Sequence, residues 1–318
     1  MSFGEVWCPL RKRRGGLCLL NAGENARAQN NLCGGKMDIV MKCAFIYLVL
    51  LLFFMGAGFA VVADEAKEKL RYEDISVKDW EVHRRYYFSD CECRVMHAPA
   101  YDMGSGKVVL FFGGRGSTPL KTNVDAVDAE GFRRKLLSRG YMLVVPFCGS
   151  NSWGSKEATD LASKALGHLA DEAGIAIPQK MPVFGSSMGG LAALMFAVRH
   201  PDRVLRIADI YGAVDVAGMA TRRKLYGDYI NVLYPDEAAK KEATPLSHGK
   251  ALAAFPVKIY HGDKDATVPL SYSQRMEACL KENGGEVQLV VVPGIGHSNG
   301  IFKLIGDELI EFLTSPLK

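Results

Sequence analysis

From residue 64 onward, short runs rich in β-branched and aromatic residues alternate with longer segments whose apolar positions recur every three to four residues. The runs are 107–112, 141–147, 181–184, 204–211, 257–260 and 287–292. They are apolar almost throughout rather than at every second position, as strands covered on both faces are. The intervening segments 125–138, 156–172, 190–199, 271–281 and 302–313 are long enough to be crossover helices. Alternation of this kind predicts an α/β fold: a mostly parallel central sheet with helices on both faces. Residues 84–88 and 94–97 are expected to add an antiparallel pair at its start. In such sheets ligands bind beyond the carboxyl ends of the strands, so candidate chemistry is sought there.

Residues 64–318 hold no linker, low-complexity tract or repeat and are expected to form a single domain. Residues 1–63 read differently, as an N-terminal extension and signal peptide outside the fold. Segment 44–55, AFIYLVLLLFFM, is uncharged, follows Lys42, and is succeeded by GAGFAVVA and the acidic Asp64 and Glu65, which is the layout of a secretory signal. Cleavage after Ala63 and an exported mature protein are the expectation. The competing reading is an uncleaved membrane anchor, since the 21 uncharged residues 43–63 just reach across a bilayer. Met37 or Met41 is the expected start, because a basic run at 11–14 is misplaced ahead of an export signal. Cys91, Cys93, Cys148 and Cys279 then remain in the mature chain, where one or two disulfides and simple burial are equally open readings.

Charge narrows the partners. The net +4 comes from residues 1–36, and from Asp64 onward acidic and basic residues balance at 32 each. Binding to a phosphate backbone needs a concentrated basic face, so no nucleic acid is expected as a partner, and a membrane only if the signal segment stays uncleaved.

After the run 181–184 comes Gly185-Ser186-Ser187-Met188-Gly189, followed by a helix-like segment that ends at Pro201. This is G-x-S-x-G between strand and helix. The turn needs glycine two residues before and after the serine so that strand and helix approach closely, leaving Ser187 at the tip. A serine hydroxyl becomes nucleophilic only when a base takes its proton, and the base needs an acid to fix its tautomer. Both types follow downstream, in His261-Gly262-Asp263-Lys264-Asp265 after the run 257–260 and in Pro293-Gly294-Ile295-Gly296-His297 after 287–292. The two loops are expected at the same sheet end as Ser187.

With GSSMG, HGDKDATVP and GIGH in this order, the chain resembles the α/β-hydrolase superfamily, in its esterase and prolyl-oligopeptidase-like branch. The resemblance runs from about residue 86 to the end. It implies nucleophile, acid and base at Ser187, Asp265 and His297, with an oxyanion hole of the backbone N–H groups of Arg115 and Met188. The glycine loop Phe112-Gly113-Gly114-Arg115-Gly116-Ser117 departs from the family pattern, which has histidine where Gly113 stands. Asp263 also neighbours the base loop, but is expected to turn the chain by accepting backbone N–H bonds.

The function this implies is an exported serine hydrolase that cleaves carboxylic esters of small molecules through an acyl-enzyme. Alternatives are a small peptidase or amidase of the prolyl-oligopeptidase-like type, and a non-catalytic binding protein on the same fold. Small or medium acyl groups are expected, because only residues 64–86 precede the hydrolase fold and leave no room for a substrate-screening propeller. An insert at about 214–254, with Tyr226, Tyr229, Tyr234 and a basic patch at Arg222, Arg223 and Lys224, is expected to form a helical cap over the site. Trp153 either lines the acyl pocket or packs its loop, and the Arg115 side chain is expected to be solvated. His248 is read as part of a structural turn. No spacing among His83, His97, His168 and His200 suggests a metal, and no cofactor is expected.

Overall fold

The computed structural model describes residues 70–316. The signal segment, its cleavage site and the alternative start sites lie outside the described residues. Nine strands form one sheet in the order β1 (Arg71–Lys78), β2 (Glu81–Tyr87), β3 (Glu92–His97), β5 (Met142–Pro146), β4 (Val108–Phe112), β6 (Met181–Ser186), β7 (Val204–Ile210), β8 (Val257–Gly262) and β9 (Val287–Val292). The contacts from β1 through β3 to β5 are antiparallel and all others are parallel.

Period-2 alternation divides the strand side chains between two cores. Val108, Leu110 and Phe112 of β4 face one core with α2 (Lys156–Asp171), α3 (Met188–Arg199) and α8 (Leu270–Glu282). Val109 and Phe111 face the other, against α1 (Glu130–Ser138) and α9 (Ile301–Thr314). Every residue of β4 is buried, which is why its sequence shows no polar alternation. The mostly parallel sheet with helices on both faces is what the alternation predicts, and the arrangement agrees with the α/β-hydrolase fold that the motif resemblance implies.

Differences from the sequence reading have local causes. The antiparallel pair forms as β2 and β3, but β1 escapes notice because its RYEDISVK is an edge strand with no buried face. The helix expected over 125–138 begins only at Glu130, after short 3₁₀ turns at Asn123–Asp125 and Val127–Ala129. Arg94 of β3 holds Asp125 through Nη1 to Oδ1 at 3.0 Å and donates to the Leu120 carbonyl at 2.8 Å, while Asp125 accepts from the Thr122 N–H at 2.6 Å. These bonds fix the segment in turns before the helix starts. The cap region is helical, with α4 (Val216–Arg222), α5 (Lys224–Leu233), α6 (Glu237–Glu242) and α7 (Gly249–Leu252). Cys91, Cys93, Cys148 and Cys279 are free thiols.

Packing at the turn between β6 and α3 leaves no space for a side chain. A Cβ on Gly185 would stand 2.0 Å from the Gly189 carbonyl oxygen, and one on Gly189 would stand 2.0 Å from the Phe112 carbonyl oxygen of β4. Both obstacles are backbone and cannot rotate away. Gly189→Ala should therefore cost about 3 kcal/mol or more, measured by urea denaturation. A loss below about 1 kcal/mol would mean that β4 and α3 separate easily.

Candidate active site

Ser187 sits between β6 and α3 with φ 59° and ψ −123°, a conformation L side chains seldom adopt. The glycines around it, together with the N–H of Ser187 donating to the Ile210 carbonyl at 2.9 Å, hold it there. Its hydroxyl lies 2.9 Å from Nε2 of His297, and Nδ1 of His297 lies 2.6 Å from Oδ2 of Asp265. The three residues come from the ends of β6, β8 and β9 and are joined in one chain of hydrogen bonds. With Nδ1 protonated, His297 donates to Asp265 and Nε2 accepts from the serine.

The side chain of Asp265 is fully buried, and that of His297 is 21% exposed. Oδ1 of Asp265 accepts from the N–H groups of Thr267 at 2.8 Å and Val268 at 2.9 Å. Burial acts to raise the Asp265 pKa, but the hydrogen bond and charge of His297 and the two N–H groups outweigh it and hold the carboxyl below its usual value. Asp263 plays a different part: Oδ1 accepts the Gly294 N–H at 2.7 Å and so ties the β8 loop to the β9 loop.

Around Ser187 lies a cavity of about 150 Å³, lined among others by Gly114, Arg115, Asn123, Trp153, Met188 and His297. The Gly114 N–H is already committed to Oδ1 of Asn123 at 2.7 Å. The N–H groups of Arg115 and Met188 donate to no acceptor among the described residues. Gly113, the departure from the family's histidine, packs against side chains rather than backbone: a Cβ there would meet Ser117 Oγ at 2.4 Å and Thr122 Cγ2 at 3.3 Å. Trp153 is 2% exposed and does both things the sequence allowed, packing its loop at φ 43° while lining the cavity. The insert contributes Met219 and Tyr226 to the lining, and the Tyr226 ring centroid lies 5.3 Å from that of Trp153. His248 donates from Nε2 to the carbonyl of Glu242, the last residue of α6, at 2.7 Å and does not line the cavity.

Four residues at the site were given no role by the sequence, although one of them, His261, opens the HGDKDATVP motif. His261 is fully buried, with Nδ1 2.7 Å from the Ser273 hydroxyl and Nε2 3.0 Å from the Val268 carbonyl. Burial lowers its pKa, so it braces the Asp265 loop as a neutral ring. Tyr211, at φ 44°, lays its ring 4.5 Å from that of His297. Asn123 reaches Asn299 at 3.0 Å across 176 residues of sequence. Asp209, fully buried beneath the nucleophile turn, would touch a Cβ on Gly190 or on Gly212 at 2.1 Å. A further grouping, Asp90, Cys91 and His168, approaches within 4.8 Å on the antiparallel side, with Asp90 also paired to Lys164 at 2.9 Å. Sequence spacing gave no hint of it.

The sequence profile of the prolyl oligopeptidase family matches residues 147–309, just over half of the chain. The chain belongs to the prolyl oligopeptidase family. Among curated relatives it is 28% identical over 187 residues to the acylamino-acid-releasing enzyme of Arabidopsis thaliana, covering 51% of this chain and 24% of that protein. It is 29% identical over 134 residues to Esterase YjfP of Escherichia coli K12, covering 38% of this chain and 51% of that one. The chain thus spans about half or less of the length of these relatives. In fold it is similar to an S-formylglutathione hydrolase from Agrobacterium tumefaciens, with TM-score 0.60 and 16% identity over 76% of this chain and 98% of that one. A putative dipeptidyl aminopeptidase IV from Bacteroides ovatus gives TM-score 0.59 at 15% identity, over 78% of this chain and 36% of that one. This member of the prolyl oligopeptidase family therefore shares its fold with esterases and peptidases alike.

Burial pushes the Asp209 carboxyl up to about 7, against a weak opposing pull from the Gly212 N–H, and neither oxygen has a partner of ordinary hydrogen-bond geometry. The folded protein then holds this proton more tightly than the unfolded chain, so stability falls as pH rises from about 4 to about 7 and stays lowered above that. The full penalty is about 4 kcal/mol, at 1.36 kcal/mol per pH unit. Asp209→Asn should flatten this slope, as read by thermal midpoints across that pH window. An unchanged slope would mean that Asp209 is ionised throughout.

Proposed function

We propose that the protein is a serine hydrolase that cleaves carboxylic esters of small molecules through an acyl-enzyme. The observation that carries this reading is the unbroken hydrogen-bond chain Ser187–His297–Asp265. In the proposed cycle, His297 Nε2 takes the Ser187 proton as Oγ attacks the substrate carbonyl. The developing oxyanion is stabilised by the N–H groups of Arg115 and Met188, the latter at the first turn of α3, where the helix dipole adds to the effect. His297 then protonates the leaving alcohol, and a water repeats the sequence to release the acid. Asp265, held ionised by its partners, fixes the imidazole tautomer and stabilises the imidazolium.

The cavity of about 150 Å³ has room for a short acyl group, and the likeness to Esterase YjfP of Escherichia coli supports an ester as the bond cleaved. Peptide or amide cleavage is the second reading, supported by the likeness to the Arabidopsis acylamino-acid-releasing enzyme. Comparing short-chain 4-nitrophenyl esters with acyl-amino-acid anilides separates the two. Higher kcat/KM on the anilides would overturn the ester preference.

A fluorophosphonate should label the protein, and Ser187→Ala should abolish both labelling and turnover. Asp265→Asn should lower kcat by roughly 10³- to 10⁴-fold, because the amide favours the wrong tautomer of His297. Asp263→Asn should leave kcat nearly intact and cost about 1 kcal/mol of stability for one weakened loop hydrogen bond. If instead Asp263→Asn is the inactive variant, the acid is wrongly assigned.

Export by the segment 44–55, with cleavage after Ala63, belongs to the same proposal. N-terminal sequencing of the mature protein should begin at Asp64. Recovery of residues 44–55 in a membrane fraction would favour an anchored enzyme.

A further inference from the structure

The basic patch of the insert is not used by the proposed hydrolysis, and two of its arginines contact residues that line the cavity. Arg222, the last residue of α4, donates from Nε to the Thr267 carbonyl at 3.0 Å and from Nη2 to the Ala266 carbonyl at 2.9 Å. Thr267 lines the cavity. Arg223, between α4 and α5, has its guanidinium carbon 5.5 Å from the ring centroid of Tyr226, and Arg115 places its own at the same 5.5 Å. Tyr226 lines the cavity too, and the two guanidiniums lie within twice that distance of each other.

Neighbouring cations are neutralised, since Lys224 pairs with Asp228 and Arg275 with Asp215, each at 2.8 Å. Among the described residues Arg115, Arg222 and Arg223 form no ion pair, and no Asp or Glu lines the cavity. Carbonyl and aromatic partners orient a guanidinium without cancelling its charge. Three oriented, uncompensated arginines close to one cleft create a field that concentrates anions; the Nε and Nη2 of Arg222 serve the two carbonyls, so its Nη1 and the forked donors of Arg115 and Arg223 are the groups that match a carboxylate.

Building on the ester-hydrolase reading, we infer that the substrate carries a carboxylate beyond the scissile bond, held by Arg115, Arg222 and Arg223 beside the cavity. The carboxylate belongs either to the acyl chain or to the leaving group. Mono-4-nitrophenyl adipate against 4-nitrophenyl hexanoate probes the acyl side, and 4-acetoxybenzoate against its methyl ester probes the leaving-group side. One anionic ester should exceed its neutral counterpart in kcat/KM by about tenfold or more at low ionic strength, and the ratio should shrink as salt screens the exposed guanidiniums. The double variant Arg222→Gln, Arg223→Gln should bring the ratio close to one. Should that variant fold poorly, Arg115→Gln should lower the same ratio.

A second readout does not depend on turnover. Calorimetry should detect monomethyl adipate binding to the Ser187→Ala protein, weakened about tenfold or more in the arginine variants. Equal kcat/KM on anionic and neutral esters, with fluorophosphonate still labelling Ser187, would overturn this inference and leave the hydrolase standing. Loss of labelling and of all ester cleavage would strike the hydrolase reading instead, and absent calorimetric binding would then decide against the anion site as well.

Discussion

Backbone contact between α3 and β4 is the constraint on which the rest of the site depends. Where Gly189 meets the Phe112 carbonyl, the first turn of the helix lies against the end of the neighbouring strand. That proximity brings Met188 at the helix start and the Gly114–Arg115 segment after β4 to the lining of one small cavity. It also forces Ser187 into its strained backbone conformation. A side chain on either flanking glycine would widen the gap and move the Ser187 hydroxyl and the N–H groups of Arg115 and Met188 apart together, so the geometry is held by excluded volume more than by any single bond.

The antiparallel strands at one edge of the sheet serve the same site from a distance. Arg94 of β3 fixes Asp125 and the Leu120 carbonyl, and Arg133 of α1 reaches fully buried Glu81 of β2 at 3.1 Å through Nε. Burial raises the Glu81 pKa, but His83, Arg133 and Lys78 outweigh it and keep the carboxylate charged. These buried ionic contacts anchor the later part of the segment between β4 and α1, at Leu120, Asp125 and the start of α1. That segment carries Arg115 and Asn123, so the strands act as a brace for the loop that faces Ser187.

Polar groups around His297 are divided by environment. Asp265 stays ionised because every oxygen has a donor and His297 stands beside it, whereas Asp209, one strand away and more deeply buried, lacks such partners and has its pKa raised. The two carboxyls thus have opposite shifts, set by deeper burial of Asp209 and by the donors and His297 around Asp265. His261 adds a neutral brace, and the ring of Tyr211 covers His297, so the imidazole is fixed from its Asp265 side and across its face.

Periodicity and local motif determine much of this protein by themselves. The six apolar runs became strands β4 to β9 within one or two residues: for β4 to β8 burial on both faces writes itself into a continuous apolar stretch, whereas β9 is an edge strand that is only partly covered and keeps the same pattern. Ser187, Asp265 and His297 were legible because each stands in a short segment whose glycines and position after a strand constrain it locally. Strand β1 was invisible, having no buried face to impose a pattern, and the late start of α1 followed from Arg94, which lies about thirty residues away. Asp209, Tyr211, His261 and Asn123 look like ordinary core or turn residues in sequence, and acquire roles only through partners on other elements. The same holds for the arginines: composition balances their charge over the whole domain, and only the fold decides that their nearest acids are engaged elsewhere. Sequence fixes what recurs along one strand or turn, and tertiary structure decides which distant polar groups are left with or without a partner.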